Sequence, residues 1–126
     1  MSWDVLLTRL PYSIKSVHEL PDDYEAPPLG PRHEVEKALR TAAPSIKISE
    51  NGWAELAGSA WSIQLDLGEE DPVPSILLNV YEPSDDVLQP IFRMASELRC
   101  RVLDCSAGDL IIEHELGTRR TLPWRM

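Results

Sequence analysis

The clearest pattern in the chain is a strict alternation of apolar and polar side chains over residues 60–67. One face of this segment is therefore buried and the other is solvated, which is typical of a strand in an antiparallel sheet. The apolar positions are Trp61, Ile63, Leu65 and Leu67. A second strand is indicated over residues 75–81, with Ile76, Leu78 and Val80 on one face and Leu77, Asn79 and Tyr81 on the other, and a connection that begins Gly-Glu-Glu-Asp-Pro separates the two runs. The pattern predicts a hairpin with an acidic tip.

Four further segments have strand-like patterns. Residues 3–9 alternate around Trp3, Val5 and Leu7, and Ile46 with Ile48 indicates a short strand before an Asn-Gly turn. Residues 101–105 and 110–113 form two short apolar runs joined by Ser-Ala-Gly-Asp. These runs predict a second pair of strands near the end of the chain.

Two segments have the 3.6-residue period of amphipathic helices. Residues 31–43 place apolar side chains at i, i+3, i+4 and i+7, and Pro44 ends the run. Asp85 and Asp86 open the second helix, where carboxylates are favoured by the positive end of the helix dipole. Pro90 must then lie in or near the first turn, because deeper in the helix it would remove a backbone hydrogen bond.

Together these elements predict an α+β fold with the order β-α-β-β-β-α-β-β. We expect a mainly antiparallel sheet of about five or six strands with two helices packed on one face. A length of 126 residues suits a single domain, residues 1–126. Within it, residues 10–30 form a long loop that we expect to drape over the core, and residues 114–126 form a tail whose order the sequence leaves open.

The negative charge is confined to one third of the chain. The formal net charge is −9, yet no basic residue lies between Lys47 and Arg93. That stretch contains nine acids, namely Glu50, Glu55, Asp66, Glu69, Glu70, Asp71, Glu82, Asp85 and Asp86. The rest of the chain is balanced at 12 acids and 12 bases. Such a distribution disfavours nucleic acid and anionic membrane surfaces as partners and favours a basic protein.

The remaining composition indicates a cytoplasmic protein. No window approaches 18 apolar residues, and the first residues lack the basic and apolar regions of a secretory signal. The two cysteines, Cys100 and Cys105, are too few for a disulfide framework and fit a reducing compartment. Their spacing matches neither a redox motif nor a zinc motif, so we expect Cys100 to have a structural role.

No catalytic, metal or cofactor signature is present. The chain has no nucleophile elbow, phosphate-binding glycine loop or dinucleotide fingerprint, and none of its three histidines has ligand spacing from another histidine or a cysteine. Asp66, on the solvated face of its strand, is the one acid with a rigid position. It has no identifiable catalytic partner, so we expect no enzyme activity, no metal and no cofactor.

Aromatic side chains add to the acidic stretch as candidate binding residues. Trp3 and Trp61 lie on apolar strand faces and belong to the core, whereas Trp53 and Trp124 have no such periodic position. Exposed tryptophans near charged residues are favoured anchors in protein interfaces. The predicted partner-binding residues are therefore Trp53, Asp66, Glu69, Glu70, Asp71, Glu82, Asp85 and Asp86. The simpler explanations are that Trp53 and Trp124 pack against the domain and that the acidic turns are only solvated.

Several short segments together carry a resemblance to known proteins. They are the opening Met-Ser-Trp-Asp, the Leu-Pro-Asp-Asp run from Leu20, the Leu-Gly-Pro-Arg run from Leu29, the block from Trp61 to Val73, and Leu103 to Asp109. In these segments the chain resembles a family of small, acidic, single-domain bacterial proteins of unknown function. The resemblance extends to about residue 113. In size, charge and general architecture the chain also resembles immunity proteins of bacterial toxin systems, which implies an antitoxin-like partner of a basic toxin.

Three functions therefore stand open. The first is a non-catalytic protein that binds a basic partner through its acidic stretch. The second is a small-ligand binder or enzyme that uses the polar sheet face around Ser62, Gln64, Asp66 and Asn79. The third is a homodimer that pairs through a sheet edge or the Trp53 face. Pairing through the acidic surface is disfavoured, because like charges would meet across the two-fold axis. The sequence leaves a monomer or a homodimer undecided.

Overall fold

The computed structural model describes residues 2–113 and 122–125. This part of the chain contains two α-helices and one seven-stranded sheet in which every neighbouring pair of strands is antiparallel. The strands are β1 (Ser2–Thr8), β2 (Lys47–Ile48), β3 (Trp53–Ala57), β4 (Ser62–Asp66), β5 (Ile76–Tyr81), β6 (Arg101–Asp104) and β7 (Asp109–Ile111). The α+β fold predicted from the pattern is confirmed, with seven strands rather than five or six.

The additional strand is β3, in a segment that the pattern placed next to a turn. Its two inward side chains are Ala54 and Leu56, and its outward side chains are Trp53, Glu55 and Ala57. Alanine has a low strand propensity and little apolar surface, so the alternation is weak. The large apolar side chain of Trp53 moreover lies on the solvent side, which obscures the period.

The strands are arranged in the spatial order β2-β3-β4-β5-β1-β6-β7. Strands β2 to β5 follow one another as a meander, and the predicted hairpin is the pair β4 and β5, with Gln64 opposite Asn79. The first strand of the chain lies near the centre of the sheet. It pairs with β5 on one side and with β6 on the other.

The helices are α1 (Arg32–Ala42) and α2 (Leu88–Leu98). A 3-10 turn at Asp85–Val87 precedes α2, so Pro90 is the third residue of the α-helix and falls in its first turn, where backbone N–H groups have no intrahelical acceptor. Arg99 ends α2 in the left-handed conformation with φ 54°.

Both helices contribute to a hydrophobic core on one face of the sheet. The core combines Val35 and Leu39 of α1 and Ile91 and Met94 of α2 with inward side chains of the strands. Those inward side chains include Trp3, Val5, Leu7, Leu56, Ile63, Leu65, Ile76, Leu78, Val80 and Val102. The buried apolar side chains of β4 and β5 thus face the helices, whereas the polar side chains, together with Leu77 and Tyr81, face the opposite side.

The long loop of residues 10–30 contacts the sheet at several points. The Leu110 N–H donates to Lys15 O at 2.9 Å, and Ser16 forms an isolated bridge with Asp109 at the outer edge of β7. Ile14 is buried beneath this crossing. Further along, the Leu29 N–H donates to Val73 O at 2.8 Å, which ties the end of the loop to the β4–β5 connection.

The last described segment, residues 122–125, packs against the first strand. Leu122 is buried, and the Trp124 ring meets the Trp3 ring edge to face with centroids 5.0 Å apart. This segment belongs to the region that the sequence marked as a tail. The rest of that region, residues 114–121 and 126, lies outside the described residues, and so does His114.

Candidate functional site

The face of the sheet opposite the helices carries a continuous row of polar side chains. Glu55 on β3 pairs with Gln64 on β4, Gln64 with Asn79 on β5, and Asn79 with Asp4 on β1. Directly paired residues of an antiparallel sheet project to the same side. The row therefore crosses four strands, and at about 4.8 Å per strand it extends for about 14 Å.

Two parallel rows border this polar row and each carries an exposed aromatic ring. On one side lie Trp53, Asp66 and Leu77, and on the other lie Ser62 and Tyr81. Trp53 is 43% exposed and Tyr81 is 41% exposed. The Tyr81 hydroxyl donates to Oε1 of Gln64 at 3.3 Å, which links the two rows. We call this surface of β1 to β5 the open face.

The open face is acidic. Strands β1 to β5 contain three acidic residues, Asp4, Glu55 and Asp66, and one basic residue, Lys47. Asp4 and Glu55 are exposed, and Lys47 lies directly opposite Glu55 on the edge strand. Asp66 is partly exposed and accepts a hydrogen bond from the Gly68 N–H at 2.9 Å, so one carboxylate oxygen organises the following turn.

The acidic hairpin tip at residues 69–71 is held by a basic residue of α1. The Asp71 carboxylate accepts from the backbone N–H of Arg32 at 3.0 Å, at the N-terminus of α1. The Arg32 guanidinium donates to the carbonyl oxygens of Gly68 and Glu70 at 2.7 and 3.1 Å. Asp71 therefore stabilises a helix start, and Arg32 offsets part of the local negative charge.

The second acidic group, at residues 82–86, is also partly engaged. Oδ1 of Asp85 accepts from Nε1 of Trp124 and from Nε of Arg125, the latter at 3.0 Å. These hydrogen bonds lower the pKa of Asp85, with Arg125 the larger cause. Asp85 thus fastens residues 122–125 to the start of α2, while Glu82 and Asp86 are exposed.

The structure does not bring all the predicted binding residues together. The tip acids Glu69, Glu70 and Asp71 precede β5, and Glu82, Asp85 and Asp86 follow it. The six residues of β5 separate the two groups by roughly 17 Å or more. Trp53 and Asp66 are direct neighbours on the open face at the tip end. Six of the nine acids in the stretch therefore form two clusters beyond opposite ends of β5, and Glu55 and Asp66 lie on the open face between them.

Asp4, Glu55 and Tyr81 lie on the open face but are not among the predicted partner-binding residues. Asp4 and Tyr81 occupy outward positions of alternating strands, so the period-2 pattern contains the signal that places them on the polar side. Glu55 is one of the nine acids of the base-free stretch, but its fixed position becomes evident only when residues 53–57 are recognised as strand β3. The pairing of Asp4 with Asn79 depends on the sheet order, which local periodicity does not specify.

A shallow depression lies at the edge of the open face. It has a volume of about 450 Å³ and is lined by Lys47, Ile48, Ser49, Trp53, Ala54, Glu55 and Gln64. Of the four polar residues considered for a small-ligand site, Gln64 lines it. Ser62, Gln64, Asp66 and Asn79 themselves lie on the two adjacent strands β4 and β5.

Comparisons with known proteins identify no relative: the chain matches no family model, no curated protein and no solved structure. Among the described residues, no group of three or more histidine, cysteine, aspartate or glutamate side chains is placed to hold a metal ion. Within the same residues, neither helix has the length and hydropathy needed to cross a membrane.

Proposed function

We propose that this chain is a non-catalytic protein-binding domain whose open face receives a basic protein. The observation that carries the proposal is the composition of that face: three carboxylates and one lysine, with partly exposed Trp53 and Tyr81 at diagonally opposite corners. By strand spacing the two aromatic residues are about 16 Å apart. Anchors this far apart favour a protein partner, because one contact surface has to reach both of them.

The electrostatic support comes from the arrangement of charge around the face. Asp4, Glu55 and Asp66 lie on the face, and the exposed acids Glu69, Glu70 and Asp86 lie beyond its two ends. A surface with one dominant sign of charge steers an oppositely charged partner and raises its association rate, by up to about 10³-fold at low salt. The acids at the two ends extend this field beyond the contact surface.

The two aromatic side chains supply apolar contact area. Trp and Tyr are enriched among the residues that dominate binding free energy, because they bury a large area at a small cost in side-chain entropy. Trp53 is fixed on a paired strand, and Tyr81 is oriented by its hydrogen bond to Gln64. We expect Trp53 to be the stronger anchor.

We further propose that the basic partner is a bacterial toxin and that this chain acts as its cytoplasmic immunity protein. The support is the resemblance in size, charge and architecture, together with the acidic open face. Toxins that cleave nucleic acid need a basic cleft for phosphates, and a surface with fixed carboxylates is complementary to such a cleft. If so, the captured partner loses its activity when one equivalent of this chain is added.

The experiment compares two triple variants that change net charge equally. The open-face variant combines Asp4→Asn, Glu55→Gln and Asp66→Asn, and the control combines Asp22→Asn, Asp23→Asn and Glu25→Gln in the exposed loop. The immobilised chain captures proteins from a lysate of its source organism at low and high salt. A captured basic protein is then purified and titrated against each variant by calorimetry.

We expect the open-face variant to bind at least about tenfold more weakly and with a smaller salt dependence, and the loop variant to bind as the unmodified chain does. We expect Trp53→Ala to weaken binding by more than about 1 kcal/mol, the loss that marks an energetically important interface residue. Equal affinities for both triple variants, or an acidic captured partner, contradict the proposal. Light scattering of the free chain tests the alternative that the open face pairs with a second copy.

A further inference from the structure

A second concavity lies between the C-terminal half of α2 and the strands β6 and β7. It has a volume of about 450 Å³, which is within the range of small-molecule sites. Its lining is largely apolar, from Phe92, Ala95, Val102, Ile111 and Ile112. Tyr12, Ser96, Arg99, Cys100, Arg101 and Glu113 complete it. We call it the arginine cleft, because two of its polar lining residues are arginines.

Arg101 is a buried cation without a carboxylate partner in the described part of the chain. It is 7% exposed, and its guanidinium nitrogens donate to the carbonyl oxygens of Pro11 and Ile14. Its Cζ atom lies 5.4 Å from the centre of the Tyr12 ring. Burial lowers the pKa of Arg101 below its usual range, although arginine still carries its proton at neutral pH. Neutral partners therefore orient the guanidinium without cancelling its charge.

Arg99 places a second positive charge beside the first. It is exposed and ends α2 in the left-handed conformation. Among the described residues, neither arginine forms an ion pair, and Glu113, the acid that lines the same cleft, bonds to neither of them. The described lining thus has a net charge of +1 from Arg99, Arg101 and Glu113, in a molecule whose net charge is −9.

Covalent chemistry at this cleft is disfavoured by the state of its thiol. Burial raises the pKa of Cys100 to about 12, so the nucleophilic thiolate is scarce at neutral pH. The chemistry that remains is non-covalent recognition. An apolar lining favours an apolar body, and guanidinium groups that have no carboxylate partner among the described residues favour an anionic head with two oxygens.

We propose that the arginine cleft binds a small amphipathic carboxylate, with the carboxylate at Arg99 and Arg101 and the apolar tail along Phe92, Val102 and Ile111. This site is separate from the open face, since none of its lining residues belongs to the outward rows of β1 to β5. The inference therefore does not depend on the proposed protein partner.

The test uses octanoate as the probe and the full chain labelled with ¹⁵N. Octanoate is titrated in against two matched compounds, octanol, which has the same tail without the charge, and inorganic phosphate, which has the charge without the tail. We expect saturable shifts of the amide resonances from the cleft with octanoate and clearly weaker binding of both other compounds. The open face resonances, such as those of Gln64 and Asn79, should not shift.

Arg99→Gln is the primary variant, because Arg99 is exposed and its side chain makes no hydrogen bond or ion pair with the described residues. Its control is Arg93→Gln, the same substitution at an exposed position of α2 outside the cleft. We expect Arg99→Gln to weaken octanoate about tenfold, the loss typical of one charge-assisted hydrogen bond, and Arg93→Gln to leave the affinity unchanged. Arg101→Lys keeps the charge but removes the planar fork, and it should weaken binding too.

Three results overturn the inference. The first is the absence of saturable shifts with octanoate, or shifts on a different surface. The second is binding of octanol as tight as that of octanoate, which would leave the arginines without a role. The third is an equal loss of affinity in the Arg99 and Arg93 variants, which would indicate general attraction of anions to the molecule.

Discussion

Carboxylates of the same acidic stretch have different surroundings. Asp71 accepts from the first N–H of α1, and Asp85 accepts from Trp124 and Arg125. Asp66 accepts from Gly68 while remaining partly exposed on the open face. A carboxylate whose oxygen is already bonded within the fold gains less from a partner, because binding must compete with an existing hydrogen bond. Asp4 and Glu55 are therefore better placed to meet a partner than Asp71 or Asp85.

Asp85→Asn is expected to loosen the attachment of residues 122–125. Arg125 and Trp124 hold the pKa of Asp85 below its usual value, which is about 3.9 in an unfolded chain. Because the folded-state pKa is the lower one, the stabilisation is present above about pH 4 and is lost as the pH falls through the folded-state value. Asp85 is largely exposed, so the effect at neutral pH is about 0.2–1 kcal/mol.

Thermal unfolding at several pH values measures this contribution. The difference in midpoint between the unmodified chain and Asp85→Asn should be present at pH 6 to 7 and should vanish in strong acid. Asp86→Asn is the matched control, since the neighbouring side chain is exposed and its substitution should change stability by less than about 0.5 kcal/mol. A difference that grows in acid contradicts the assigned role of Asp85.

The two thiols should react at very different rates in the folded protein. Burial raises the pKa of Cys100 to about 12. Partial desolvation also raises the pKa of Cys105, with smaller contributions from the charges of Asp4 and Asp104. Unlike Cys100, however, Cys105 is exposed to a reagent in solution. A disulfide reagent at mildly alkaline pH should therefore label Cys105 slowly and leave Cys100 unmodified, whereas denaturant should expose both thiols. Rapid labelling of a Cys105→Ser variant without denaturant would show that Cys100 is accessible.

At the scale of elements, alternate side chains of strand β4 have different roles: the buried ones stabilise the fold and the exposed ones form part of the open face. Leu65 is completely buried against the helices, and Gln64 is exposed on the open face. We expect Leu65→Ala to lower the free energy of unfolding by about 2–5 kcal/mol, through lost burial and the cavity that remains. Gln64→Ala should change it by less than about 0.5 kcal/mol. Denaturant titrations of the two variants measure both values, and comparable losses would contradict the assignment of faces.

The period-2 and period-3.6 patterns were sufficient for most elements. They identified β4, β5 and both helices, because each has large apolar side chains at regular spacing. They failed at β3, where one of the two inward side chains is the small Ala54 and the large Trp53 faces outward. The same failure affected the candidate site, since Glu55 gains a fixed position only when β3 is recognised as a strand.

At the scale of the whole molecule, the sheet order determines which charges share a surface. Sequence proximity suggests one acidic surface over residues 50–86. In the structure, β5 separates the acids at residues 69–71 from those at residues 82–86. Conversely, Asp4 and Asn79 are far apart in sequence and adjacent in the sheet. Pairing of distant strands depends on how the entire apolar surface is buried, and local patterns do not specify it. The sequence was thus sufficient to predict that one face of the sheet is polar, but not which residues of distant strands lie next to one another on that face.

The central position of β1 has a consequence for how the protein folds. The meander of β2 to β5 can form from neighbouring segments, whereas β1 must wait for partners far along the chain, with Ser2 opposite Tyr81 and Thr8 opposite Arg101. Closing such long loops is entropically costly and slows folding. Until β1 is inserted, β5 has an unpaired apolar edge, which is a template for association with other chains. Insertion of the first strand therefore both completes the polar row with Asp4 and covers the edge of β5 that could pair with another chain.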